Sequence, residues 1–349
     1  METSKPAASI LIATFNRAAM LDDTLASIAR LRPGFSWECI VIDNNSTDDT
    51  RAVVDRHAAD FPVPLRYVFE ARQGRSSALN TGIAAAGADV LTFTDDDVRV
   101  ADGWLNGACG ALLSPADPSI RFAGGPVRPR WEVPPPAWLD LDRGDLWGTI
   151  AIQDHGAERF VYEERRKVPL GANMAVHRVV FDRVGAFRPD LGRTGEGRLV
   201  LGQEVPEFLI RARAAGFRGV YVPAMEVHHH IPAARLTKRY FRRWWFGKGA
   251  SRSALEHLQP WTDMGIDLTQ TPHVLGVPRY MYGSALRDLA GWVRAVVRRR
   301  PAEAFRRQMM LMYFAGYFWA RRRSSQSRLQ TPSSPAERFQ ESWRSGIES

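Results

Sequence analysis

Val90-Leu-Thr-Phe-Thr-Asp-Asp-Asp97 is the stretch that decides how this chain reads. An uncharged, largely apolar run of this length marks a strand buried on both faces. Three carboxylates follow it directly. Like charges so close raise one another's pKa unless a cation or a set of donors sits among them. A hard divalent cation, Mg²⁺ or Mn²⁺, is the simplest partner, held by one or two carboxylates and completed by diphosphate oxygens. A solvated acidic turn is the plainer alternative.

Working outward from this strand, the same pattern recurs. Ser9-Ile-Leu-Ile-Ala-Thr14 is a second buried strand and ends in the polar turn Phe15-Asn16-Arg17. Met20, Leu21, Leu25 and Ile28 then recur at helical spacing up to Leu31, where Pro33-Gly34 stops the helix. Cys39 to Ile42 is a strand followed by the turn-rich Asp43-Asn-Asn-Ser-Thr-Asp-Asp49, which caps a helix from Thr50 to Ala59. Leu65 to Phe69 predicts a strand and the Ala-rich Ser76 to Ala86 a helix. This βαβαβαβ order predicts an α/β fold, a doubly wound and mainly parallel sheet whose ligand lies beyond the carboxyl ends of the strands. Three polar loops then converge on one edge: Thr14 to Arg17, Asp43 to Asp49 and Asp95 to Asp97. No Gly-x-Gly-x-x-Gly follows the first strand and no Gly-Lys-Ser/Thr loop occurs, so neither a dinucleotide dehydrogenase nor a P-loop nucleotidase is supported.

At 349 residues, 45% of them hydrophobic, the chain can bury a sizeable core. Cys39 and Cys109 are too few for a disulfide scaffold, and Met1 to Ser9 lacks the layout of a secretory signal, so the expected location is the cytoplasm. Charge is unevenly spread. Residues 232–349 hold 21 Lys and Arg against 8 Asp and Glu, a net +13, which leaves −4 for residues 1–231. An acidic body argues against a nucleic-acid clamp, while a basic, aromatic tail suits an anionic membrane surface.

Ile12-Ala-Thr-Phe-Asn-Arg17, Val41-Ile-Asp-Asn-Asn-Ser46, Gly74-Arg-Ser-Ser-Ala-Leu-Asn80 and Phe93-Thr-Asp-Asp-Asp97 resemble, in order and spacing, the motifs of bacterial family-2-type glycosyltransferases with the GT-A fold. Gly171-Ala-Asn-Met-Ala175, Gly202-Gln-Glu204 and Val227-His-His-His230 continue the match, which covers roughly residues 8 to 250. The resemblance implies transfer of a sugar from a nucleotide diphosphate donor to an acceptor hydroxyl, with inversion at the anomeric carbon and a divalent cation, Mn²⁺ or Mg²⁺, as cofactor. It implies a glycan or lipid-linked acceptor, and a part in cell-surface polysaccharide or glycolipid synthesis.

Carried over by position, the resemblance gives Asp43 the nucleobase, with Thr14, Asn16 and Arg17 cradling the nucleoside. Asp95 looks like a ribose or metal contact and Asp97 like the principal metal ligand of the Asp-x-Asp motif. Asp96, on the donor side, is expected to point away from both, because alternate residues of an extended segment face opposite ways. Arg75 and Asn80 fall on the side that faces the donor, and a guanidinium there would complement the diphosphate. Gly171 and Asn173 fall on the acceptor side. His229 occupies the family's histidine position and would complete the metal shell. Glu204 is the expected general base and Glu207 its rival, since Pro206 looks like an inserted residue before the second acid.

Past Arg235 three basic helices are expected. Arg235 to Phe246 mixes cations with aromatics, a second helix carries Leu286, Leu289, Trp292, Val293 and Val296, and a third runs from Phe305 to Trp319. Such faces suit helices lying in lipid headgroups at the inner face of the cytoplasmic membrane, or a helical subdomain packed on the core. The expected organisation is a GT-A catalytic domain over 1–231, a basic amphipathic helical region over 232–323 and a disordered tail over 324–349. A nucleotidyltransferase acting on sugar phosphates and a non-catalytic nucleotide-sugar-binding protein are the rival readings. The first would need an N-terminal Gly-rich, Lys-containing loop, which is absent.

Overall fold

The chain alternates strands and helices in the computed structural model, which describes residues 5–142, 144–163, 167–191, 204–256 and 270–327. The side chains of residues 254, 255 and 324–327 are not among those described. β1 (Ala8–Thr14), α1 (Ala18–Ile28), β2 (Trp37–Asp43), α2 (Thr50–Ala58), β3 (Leu65–Phe69), α3 (Arg75–Ala85) and β4 (Val90–Asp95) come first. The expected strands and helices all form, with ends shifted by a few residues. β5 (Val98–Val100), α4 (Trp104–Leu112), β6 (Ile120–Gly124), β7 (Val127–Trp131) and β8 (Phe160–Val161) follow. Then come β9 (Asn173–His177), α5 (Arg178–Val184), α6 (Glu204–Ala214), β10 (Arg218–Tyr221) and β11 (Val227–Ile231).

The main sheet has the order β3-β2-β1-β4-β9-β6-β10-β8. β3, β2, β1 and β4 are parallel, and β9 enters antiparallel between β4 and β6. The sheet is therefore mixed and mainly parallel, as the motif order predicts. Its strands alternate sides in a way that covers both faces. Ile10, Ile12, Cys39 and Val41 pack with α1, α2 and α4, while Leu11, Ile40, Ile42 and Phe93 pack with α3, α5 and α6. Strands buried on both faces are apolar at most successive positions, which is why the first strands read as near-continuous runs.

Register aligns the strand ends. Parallel pairing sets Thr14 beside Asp43 and Ala13 beside Asp95, so the three polar loops leave the sheet at one height.

A second sheet, β5-β11-β7, lies beside the first. The run from Val220 to His230 falls in two strands of two sheets. Pro223 breaks it because proline has no N–H to donate to a ladder. In β11 the burial alternates, so His229 points inward and is buried while His228 and His230 lie on the more open side.

The C-terminal third is helical: α7 (Lys238–Leu255), a short hairpin of β12 (His273–Val274) and β13 (Val277–Pro278), α8 (Arg279–Val297) and α9 (Pro301–Ser327). α9 runs past the expected boundary at 323, and residues 328–349 of the expected disordered tail lie outside the described residues. α7 does not present its aromatics to a lipid surface. Phe241 and Trp245 are buried with Leu139, Ile150, Phe305 and Met309, and Trp138 packs edge-on to Phe241 and Phe305. Among the described residues, no helix is long and apolar enough to cross a membrane.

Candidate active site

The strand ends open into a cleft of about 1510 Å³, walled on one side by the sheet loops and on the other by α7 and α9. Thr14, Arg17, Arg75, Asp95, Asp96, Asp97, Gly171, Glu204 and His229 all line it. Residues far apart in sequence are thus gathered on one wall.

Asp95 closes β4, and Asp96 and Asp97 form the turn into β5. Because the strand ends at Asp95, the alternation expected to send Asp96 aside does not operate. Asp96 instead turns under the first loop. Thr14 Oγ1 donates to its Oδ2 at 2.9 Å, and Arg17 Nη1 spans Asp96 Oδ1 at 2.9 Å and Asp97 Oδ2 at 3.0 Å. Burial pushes the Asp96 carboxyl up to about 6; Arg17 opposes this and the neighbouring Asp97 adds to it. Asp97 goes the other way. Burial would raise it, but contact with His229, then the charges of Arg235 and Arg17, hold it well below the usual carboxylate range.

The small sheet brings His229 there. β11 pairs His229 with Val98, and the His230 N–H donates to the Asp97 carbonyl at 2.8 Å, so the imidazole comes down beside the Asp97 carboxylate. His229 Nε2 is 3.5 Å from Asp97 Oδ1, and Arg235 Nη2 is 3.5 Å from Asp97 Oδ2. Arg235 Nη1 also lies 3.1 Å from His229 Nε2. The sequence reading gave Arg235 no role at the site. Its signal was its place in the loop that leaves β11, three residues after Pro232 and directly beyond the histidines.

These residues fit a cation in a limited way. Asp97 Oδ1 is buried and accepts no hydrogen bond, which leaves a lone pair for an ion. Among the described residues no group of three or more His, Cys, Asp and Glu side chains stands ready as a cage. The donor set therefore suits an ion shared between Asp97, with His229 or Asp95 beside it, and the oxygens of a bound diphosphate.

Across the cleft Arg75 makes one ion pair with each of two acids. Nη2 donates to Asp95 Oδ1 at 2.8 Å and to the Gly171 carbonyl at 3.2 Å, while Nη1 donates to Glu204 Oε1 at 3.0 Å. Against the cost of burial, Asp95 and Glu204 raise the affinity of Arg75 for its proton, and Arg75 in turn holds Asp95 below its ordinary pKa although burial opposes that. Gly171 packs closely here: a Cβ would stand 3.1 Å from Val205 Cγ2 and 3.2 Å from Arg75 Nη2. Asn44 builds the loop that delivers this arginine. Its amide donates to the carbonyls of Glu70 and Arg72 at 3.1 and 2.7 Å and accepts from the Gly74 N–H at 2.7 Å.

Glu204 and Glu207 open α6, where Pro206 is tolerated because the first turn has no internal N–H bond to lose. The two acids part company there. Glu204 lines the cleft, and among the described residues its Oε2 is buried without a hydrogen-bond partner. Glu207 faces the protein interior in a two-pronged ion pair with Arg211, Oε1 to Nε at 2.8 Å and Oε2 to Nη2 at 2.9 Å. Arg211 is further fixed by the carbonyls of Val184, Gly185 and Ala186. Gln203 lies outside the described residues.

Four other expected site residues are not brought to the cleft wall. Asn80 spends its amide on the main chain of Phe187, donating to the carbonyl at 2.8 Å and accepting from the N–H at 3.0 Å. Asn173 is fully buried, accepts from Trp104 Nε1 at 2.8 Å and donates to the carbonyls of Pro126 and Met225. Asn16 sits in the left-handed region at φ 52° and accepts from the Thr47 N–H at 2.7 Å, tying the first loop to the second. Asp43 is buried at the end of β2, where it accepts from the Ser46 N–H at 2.8 Å and the Tyr67 hydroxyl at 2.7 Å. There it holds the turn that follows the strand.

The far wall of the cleft comes from the C-terminal helices. Tyr240, Trp244, Lys248 and Arg252 recur every four residues along α7 and all line it, with Tyr313 of α9 and Trp147 beside them.

Residues 9–184, just over half of the chain, match the model of the family described as Glycosyl transferase family 2. Validoxylamine A glucosyltransferase of Streptomyces hygroscopicus is 35% identical over 118 residues, 33% of this chain and 28% of that protein. A GalNAc(5)-diNAcBac-PP-undecaprenol beta-1,3-glucosyltransferase of Campylobacter jejuni is 33% identical over 114 residues, 32% of this chain and 35% of that protein. The matched stretch therefore spans about a third or less of either relative. The mannosyltransferase PcManGT of Pyrobaculum calidifontis, solved with GDP-Man and Mn²⁺, superposes with a TM-score of 0.52 at 18% identity over 99% of this chain and 82% of that one. At this identity the likeness is one of fold.

Proposed function

The chain belongs to glycosyl transferase family 2, and from that premise we propose that it is an inverting, metal-dependent enzyme of cell-surface glycan or glycolipid synthesis. Its donor is a nucleotide diphosphate sugar and its acceptor a hydroxyl on a glycan or lipid-linked glycan at the inner face of the cytoplasmic membrane. The observation that carries the reading is Arg75, which ties the carboxylate at the end of β4 to Glu204 inside one cleft.

An attacking hydroxyl is a poor nucleophile until its proton is taken in the transition state. Glu204 takes it, because its Oε2 has no other partner among the described residues and the residue lines the cleft. Arg75, Arg17 and Arg235 surround the acidic strand end and neutralise charge developing on the departing diphosphate. A donor diphosphate draws Arg75 away from Glu204 and leaves the carboxylate open to the acceptor hydroxyl. A divalent cation supplies further neutralisation when bound, and Asp97 with His229 and Asp95 would hold it. The similar proteins support the lipid-linked acceptor and the choice of Mn²⁺, since one is a GalNAc(5)-diNAcBac-PP-undecaprenol glucosyltransferase and another was solved with Mn²⁺.

The test is release of nucleoside diphosphate from a panel of nucleotide sugars, with Mn²⁺ and with a chelator. Consumption of one donor class, lost on chelation, is expected. Failure of every donor to bind or be consumed with any divalent ion would overturn the reading.

A further inference from the structure

Among the described residues, the outer face of α8 is left uncovered. Its inner face buries Met281, Asp288 and Ala295, and Asp288 is bonded to Arg307 Nη1 at 2.6 Å. On the opposite side Leu286, Leu289, Val293, Val296 and Val297 are exposed by 66, 44, 48, 51 and 76%. Their spacing of three or four residues places them on one stripe about 100° wide. Just before the helix, the β12–β13 hairpin raises Val274 and Leu275, the latter 90% exposed at its tip. Tyr282 donates to the Val274 carbonyl at 3.1 Å and Arg321 Nε to the Gly276 carbonyl at 2.8 Å, which fixes the hairpin to α8 and α9. Tyr282 lies one turn before Leu286, on the stripe side, so the hairpin tip extends the apolar surface.

Charge says what covers it. Arg279, Arg287, Arg294, Arg298, Arg299 and Arg300 are all exposed, and Asp288, turned inward, is the one acid between Arg279 and Arg300. Glu303, just beyond, reaches Arg300 at 3.5 Å. A second copy of this chain on the same stripe would bring like arginines face to face across a two-fold axis, which costs rather than stabilises. An anionic bilayer satisfies both parts at once. Aliphatic side chains enter the acyl boundary and guanidiniums meet lipid phosphates, as in a helix lying in the interface plane.

We infer that the α8 stripe and the hairpin tip form a docking surface for anionic membranes, with α8 lying flat. The sequence pointed to aromatic α7 as well, but Phe241 and Trp245 are core and Tyr240 and Trp244 line the cleft. α9 packs against both α7 and α8, so the layer that docks is the layer that walls the cleft. The use of this surface, presenting a lipid-linked acceptor, rests on the proposed function; the binding does not.

The test is co-sedimentation of the full chain with phosphatidylcholine vesicles, with and without phosphatidylglycerol. Binding should need phosphatidylglycerol and weaken with salt. The pair Leu286→Asp with Val293→Asp should cut vesicle affinity at least about tenfold, and so should Arg287→Glu with Arg294→Glu, given about a factor of five per cation near such a surface. Both pairs lie on exposed positions, so melting temperature and consumption of a soluble donor should match the parent. The inference falls if the parent ignores phosphatidylglycerol vesicles, or if the stripe variants bind them equally well. It falls equally if the parent is a dimer that the stripe variants convert to a monomer. Should vesicle binding follow the stripe while no donor is consumed, the docking stands and the proposed function does not.

Discussion

Asp97 and Glu207 are both buried carboxylates, and their neighbours give them different work. Asp97 keeps one oxygen without a hydrogen bond at the cleft, whereas both oxygens of Glu207 are taken by Arg211. Asp97→Ala should therefore abolish the Mn²⁺-dependent part of nucleoside diphosphate binding. A ligand at 100 times its Kd stabilises the parent by about 2.7 kcal/mol, so thermal melting resolves the loss easily. An undiminished Mn²⁺ increment would show that the ion sits elsewhere. Glu207→Gln should instead lower stability by about 3 kcal/mol, because it strips the partner from a fixed arginine, and leave turnover per folded molecule close to the parent's. Asn173→Ala should behave likewise, since it orphans Trp104 Nε1 and two carbonyls. The strand-end acids could be read from sequence because a strand dictates where its end lies. Which of two acids on α6 faces the cleft could not be settled from Pro206. Arg211, four residues after Glu207, was the usable sign, as that spacing brings an acid and a base together on a helix.

α7 and α9 cross at two glycines. A Cβ on Gly249 would stand 1.9 Å from the Tyr313 carbonyl oxygen, and one on Gly316 1.9 Å from that of Phe246. Helix propensity alone says that Gly249→Ala stabilises by about 1 kcal/mol. Here the added methyl must push two packed helices apart, so the melting temperature should fall, by an amount equivalent to about 1 to 3 kcal/mol. A rise would mean that the crossing is looser than described. At this scale the first strands and helices were legible: β1, β2 and β4 are buried and mostly apolar, and the edge strand β3 was placed to the residue. The β5-β11-β7 sheet was not. Its strands are three to five residues long and include Arg99, Arg128, Arg130 and three histidines, so no apolar run announces them. That sheet brings His229 to Asp97, which is why the histidine's place was knowable only by resemblance.

At the scale of the molecule, the cleft lies between an acidic α/β body and a basic helical layer, and the charge count alone foresaw that division. It did not foresee the direction of the aromatics. Arg235 to Phe246 carries too many cations and rings for one reading of its pattern, and packing against Trp138 and Phe305 decides it. The account as a whole depends on Glu204 being the group that accepts the acceptor's proton, held by Arg75 until a donor arrives. Glu204→Gln keeps the shape and the hydrogen bond to Arg75 but cannot take a proton. Transfer and donor affinity should be measured on one preparation of this variant. Transfer is expected to fall by at least about 10²-fold while donor affinity holds or rises, because a neutral amide competes with the diphosphate for Arg75 less strongly than a carboxylate does. Transfer within a few-fold of the parent would contradict the account and leave the cleft without its base.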